Sequence, residues 1–196
     1  MKKHSPDTPA RRKRRRTIFL TVAGILAVFV LVNMAIIYHF SAESVEESGN
    51  RSTGLTEFVT KLVWPGYDEL SYPDQLKAQE KLHRPIRKAA HFSEYALLGF
   101  LTASLLLHLS RRPRKRPIKA WMTWIFPAGF CLLYAISDEV HQIFSHRGPS
   151  VWDVMIDFAG ALFGILLIQC IVRLSRRKRK KREKRHADHA LRSVDA

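Results

Sequence analysis

The sequence predicts an all-α protein, a polytopic membrane helix bundle with four transmembrane helices. Three observations lead there. Apolar residues are gathered into four blocks of spanning length, about 18–40, 89–110, 120–137 and 151–172. About 20 apolar residues at 1.5 Å rise cross a hydrocarbon core roughly 30 Å thick. Charged residues lie between the blocks, and Lys and Arg are concentrated in alternate connections. The carboxylates that do enter helical segments gather at one end of them.

Charge sets the orientation. Residues 1–16, 111–119 and 173–196 hold most of the 33 Lys and Arg, with Asp7, Glu183, Asp188 and Asp195 as their only acids. The positive-inside rule then places both termini in the cytoplasm of a multi-pass cell-membrane protein. The net charge of +16 therefore does not imply a nucleic-acid partner; its distribution points to anionic membrane lipid. The domain plan is a basic tail over 1–17, a membrane domain over 18–174 with an outer loop at 41–87, and a basic tail over 175–196.

The basic run Arg11–Arg16 precedes the first block, which is too long for a signal-peptide core and reads as an uncleaved anchor. In the outer loop, Leu55, Phe58, Val59, Leu62 and Val63 repeat at helical spacing, and Pro65-Gly66 stops them. Too short to span, this helix is expected in the outer interface with Trp64 at headgroup depth, packed against the bundle or closing over a site as a lid. A second short helix is expected from Pro73 through Leu82. The second span starts at Arg87-Lys88, where His91, Glu94 and Tyr95 share a face in its first turns.

The third span enters past Trp121 and Trp124, carries Pro127, and ends on Asp138-Glu139-Val-His-Gln142. Arg147 follows in the connection. Asp153 and Asp157 open the fourth span at i, i+4, and Gly160 and Gly164 continue nearly the same face as a close-packing pair. The tail from Arg173 has no apolar periodicity and is expected to be unordered. Cys131 and Cys170 lie about eight residues apart in depth, roughly 12 Å, so no disulfide is expected between them.

Topology delivers Lys88, His91, Glu94, Asp138, Glu139, Gln142, Arg147, Asp153 and Asp157 to one membrane face. The inner halves of the same helices are almost free of ionisable groups. A proton or ion path would need such groups at several depths, so the pattern favours a site on one face over a transport route. Ionisable residues in spans are costly to hold and mark such sites.

The run Arg87-Lys-Ala-Ala-His-Phe-Ser-Glu-Tyr95, then Asp138-Glu-Val-His-Gln-Ile-Phe144, Arg147, and Asp153 with Asp157 and Gly160 resembles the VanZ-like family of bacterial membrane proteins. That family is named for a protein associated with teicoplanin resistance. The resemblance covers about Ser41 to Gly164 and implies a membrane protein of the cell envelope, with no settled reaction. Asp157 departs from the pattern, which usually has Asn there.

Three readings stay open. In the first, an enzyme acts on lipid or cell-wall components. His91, Glu94, Asp138, Glu139 and Asp153 supply its acid–base chemistry, and Lys88, Tyr95, Gln142, Arg147 and Asp157 hold the substrate. The carboxylates and His91 are also candidate ligands for a divalent metal. In the second, the same face binds a cell-wall precursor, lipid headgroup or glycopeptide without chemistry. In the third, the charges only neutralise one another and fix helix register.

Overall fold

The computed structural model describes residues 8–42, 54, 56–111, 118–143 and 150–192. The described residues are helical almost throughout. Helix α1 runs over Pro9–Ala42, α2 over 56–63, α3 over Tyr72–Ser110, α4 over Met122–Ile143 and α5 over Val151–Arg192. A 3-10 turn, Tyr67–Glu69, links α2 to α3 after Gly66, whose φ of 71° is the left-handed conformation glycine adopts without penalty. Among the described residues, three segments are long and apolar enough to cross a membrane, Pro9–Ser41, Tyr72–Ser110 and Val151–Arg185, which makes the chain a multi-pass membrane protein. Their outward faces carry large apolar side chains such as Leu31, Leu97 and Phe163.

Helix starts follow local chemistry. Thr8 accepts the Arg11 amide on its hydroxyl at 3.4 Å ahead of Pro9, a cap followed by proline at the first helical position. At α3, Ser71 donates to the Asp74 carboxylate at 2.7 Å and Lys77 lies 3.1 Å from the same group. Ser150 caps α5, accepting the Asp153 amide on its hydroxyl.

Helices α3 and α5 form the most extensive pairing, and α1 and α4 pack against α3. The α3–α5 contact is backbone to backbone. A Cβ added at Gly160 would lie 2.2 Å from the Phe92 carbonyl oxygen, and one at Gly164 would lie 1.8 Å from that of Ala96. Gly99 presents the reciprocal contact to Ala161. Register rises together on both helices, so they run parallel. The core between the helices is built from Ile37, Tyr95, Leu98, Cys131, Ala135 and Ala161, and both cysteines are free.

Three local expectations change. The second short helix and the second span are one continuous α3 through Pro85. Proline withholds one amide from the Lys81 carbonyl, and Lys81 is an exposed residue. Helix α2 turns Thr56 and Thr60 inward, fully or almost fully buried, and leaves Phe58, Leu62 and Val63 exposed. Thr60 satisfies its hydroxyl on the Thr56 carbonyl at 2.6 Å, so the apolar face is free to meet lipid rather than to pack on the bundle. The basic tail is helical, because α5 continues through it to Arg192.

Candidate functional site

All four long helices bring polar groups to one end of the bundle. From α1 comes Ser41, whose hydroxyl donates to Asp138 Oδ2 at 2.7 Å. From α4 come Asp138, Glu139 and Gln142, each more than nine-tenths buried. Gln142 Nε2 reaches the same Asp138 oxygen at 3.5 Å. Glu139 Oε1 accepts the backbone amide of Ser150, which fastens the end of α4 to the start of α5. A carboxylate there also complements the positive end of the α5 dipole.

Lys88 of α3 pairs with Asp153 of α5 at 3.3 Å. His91 Nδ1 lies 3.8 Å from Glu94 Oε2, one turn further along α3. Arg87, Lys88, His91, Gln142, Asp153 and Asp157 border one cavity of about 10 Å³, room for about one water-sized group. Asp157 feels the charges of Asp138, Asp153, Glu139 and Glu94, so five carboxylates share one electrostatic neighbourhood. Arg87 acts on Glu139 and His141 acts on Asp138 through space. Crowding of this kind is relieved by a nearby positive charge or by protonation of one of the acids.

Two carboxylate oxygens in this neighbourhood, Asp138 Oδ1 and Glu139 Oε2, are buried without a hydrogen-bond partner in the described structure. Tyr95 is fully buried beside Asp138, and its hydroxyl closes no hydrogen bond of normal geometry. Unmatched buried acceptors cost about 1–3 kcal/mol each, so the cluster is built at the expense of stability. Among the described residues, no three His, Cys, Asp or Glu side chains converge as metal ligands would. The metal expectation therefore has no ligand set there.

Of the residues singled out in the sequence, Lys88, His91, Gln142, Asp153 and Asp157 border the cavity. Glu94, Tyr95, Asp138 and Glu139 stand around it, and Arg147 lies outside the described residues. The sequence reading missed Ser41 and Arg87. Ser41 was legible only as the first small hydroxyl after the apolar block that ends at Phe40. The reading also missed how α1 is held beside α4. Tyr134 donates to the Met34 carbonyl at 2.7 Å, and Tyr38 stacks on His141 at 4.4 Å.

The arrangement can seat a small cationic group among carboxylates, with two basic side chains at the rim for an attached anion. A family model described as VanZ/LLP1 matches residues 25–173 of the chain. No curated protein and no solved structure matches it.

Proposed function

The chain belongs to the VanZ/LLP1 family, and from that premise we propose that it is a four-span envelope protein binding a zwitterionic headgroup at its extracytoplasmic face. The primary ammonium enters the cavity between Asp153 and Asp157, and the phosphate or carboxylate rests on Lys88 and Arg87. The observation that carries this is a cavity about one water in size bordered by the carboxylates of Asp153 and Asp157, with Asp138, whose Oδ1 lacks a partner, behind the cavity-lining Gln142. An ammonium group is close to water in size and supplies three donors. The teicoplanin link of the resemblance fits a protein acting on envelope components at the outer surface.

The fourth span is α4. It has 22 residues, and the exposure of Ile125, Phe126, Leu133 and Val140 supports a lipid-facing surface on it. Cysteines at the exposed position 61 and at 115 and 148 test the orientation in intact cells. An impermeant thiol reagent should label 61 and 148 and spare 115; labelling of 115 contradicts the topology.

A second reading rests on the His91–Glu94 pair beside the cavity, which is placed to exchange a proton with a bound group. Binding is tested first. Purified protein titrated with short-chain phosphatidylethanolamine should show saturable binding at least about tenfold tighter than for phosphatidylglycerol, a difference of about 1.4 kcal/mol. Equal affinities would count against an ammonium site. Release of a cleaved or transferred headgroup on incubation would favour the enzymatic reading over binding alone.

A further inference from the structure

The opposite end of the bundle carries a second, differently built site. Beyond its apolar stretch, α5 presents Val172, Ser175, Arg176, Arg179 and Lys180 at i, i+3, i+4, i+7 and i+8, a single face of the helix. Together with Arg111 at the end of α3, that face borders an open cleft of about 640 Å³. Its floor is apolar, with Val172 in the lining, and its walls hold four cationic side chains.

The depth of the cleft is marked by neighbouring groups. Arg173 lies over the Trp124 ring at 5.4 Å, and tryptophan concentrates at the level of lipid headgroups. One turn deeper, Gln169 donates to the Thr123 carbonyl and contacts its hydroxyl at 3.1 Å, holding α4 against α5. The cleft therefore straddles the boundary between acyl chains and headgroups, apolar below and cationic above.

We infer that this cleft binds a phosphate-bearing anionic lipid, its acyl chains along Val172 and its phosphates between Arg111 and the Arg176, Arg179 and Lys180 face. Arginine offers paired donors to phosphate oxygens, and basic pockets between helices at this depth suit such headgroups. One local acid competes. Glu183 pairs with Arg179 at 3.2 Å, but both are solvent-exposed, and exposed pairs of this kind are weak. The remaining cations of the tail, including Arg177, Lys181 and Lys184, fall on the other side of the helix and give only diffuse attraction.

Full-length protein in detergent is titrated with a two-phosphate cardiolipin, with phosphatidylcholine and with inorganic pyrophosphate, and retained adducts are counted by native mass spectrometry. Cardiolipin should bind saturably. The triple variant Arg176→Gln, Arg179→Gln, Lys180→Gln should weaken it about tenfold or more, since several basic contacts at a membrane surface are removed together. A control of equal charge, Arg177→Gln, Lys181→Gln, Lys184→Gln, should change it less than about twofold, because screened charges on the far side contribute little. Helicity by circular dichroism should be unchanged in both, as all six positions are exposed. Equal loss in the two triples would reduce the effect to bulk tail charge and overturn the site. Pyrophosphate competing as well as cardiolipin, or phosphatidylcholine binding equally, would overturn the lipid assignment.

Discussion

Replacing Gly160 and Gly164 together by alanine should separate α3 from α5 and unfold the polar end of the bundle. Each added methyl would meet backbone, the carbonyl oxygens of Phe92 and Ala96, at 2.2 and 1.8 Å. A side chain in that position could rotate away; a helix backbone moves only as a whole. Overpacking costs about 1–3 kcal/mol per site where neighbours can adjust, and here they adjust only by parting the helices. A combined loss of about 3 kcal/mol or more corresponds to a fall of roughly 6–12 °C in melting temperature. Thermal unfolding in detergent measures it. Gly129→Ala is the internal control, because nothing lies within 4 Å of its added Cβ. Alanine is also the better helix former by about 0.8–1.0 kcal/mol. That variant should melt at or slightly above the parent temperature.

Glu139→Gln should separate binding from architecture. The amide oxygen can still accept the Ser150 backbone amide that Glu139 Oε1 accepts, so the junction of α4 and α5 survives. What disappears is one of the negative charges around the cavity. Headgroup binding should weaken about tenfold or more, equivalent to at least about 1.4 kcal/mol, with the melting temperature close to that of the parent. A purely architectural Glu139 predicts the reverse. Breaking one side of a buried pair costs about 3–5 kcal/mol, so stability would fall, and a second change, Arg87→Gln, would restore it. Recovery of both stability and binding in that double variant would remove Glu139 from the site.

Much of this arrangement is legible in the sequence, because membrane insertion segregates residues so strongly. Blocks of apolar residues mark helices, and carboxylates near their ends stand out against them. The spacing of Asp153, Asp157, Gly160 and Gly164 already places polar groups and a close helix contact in line on α5. Partner choice was less legible. Lys88 pairs with Asp153 and not with Glu139, a choice fixed by the register of two helices far apart in sequence. Ser41 reaches Asp138 only because α1 ends at the same depth as α4.

The misread elements share a cause: local pattern gives a face, and the surrounding medium decides what that face meets. Helix α2 buries Thr56 and Thr60 and exposes Phe58 and Leu62, the reverse of a helix on a soluble core. The second short helix and the second span were expected as separate elements, yet α3 runs through both without interruption. The basic tail lacks apolar periodicity, yet it extends a helix already nucleated in the bundle, so it bears no separate nucleation cost.

The most direct measurement is a headgroup methylation series. Wild-type protein is titrated with short-chain phosphatidylethanolamine and with its mono-, di- and trimethylated forms, all bearing the same phosphate and chains. A cavity of about 10 Å³ bordered by Asp153 and Asp157 accepts a primary ammonium and has no room for three added methyl groups. Affinity should fall with each methyl, and the choline form should bind at least about tenfold more weakly. Equal or tighter binding of the choline form would contradict an ammonium site in this cluster.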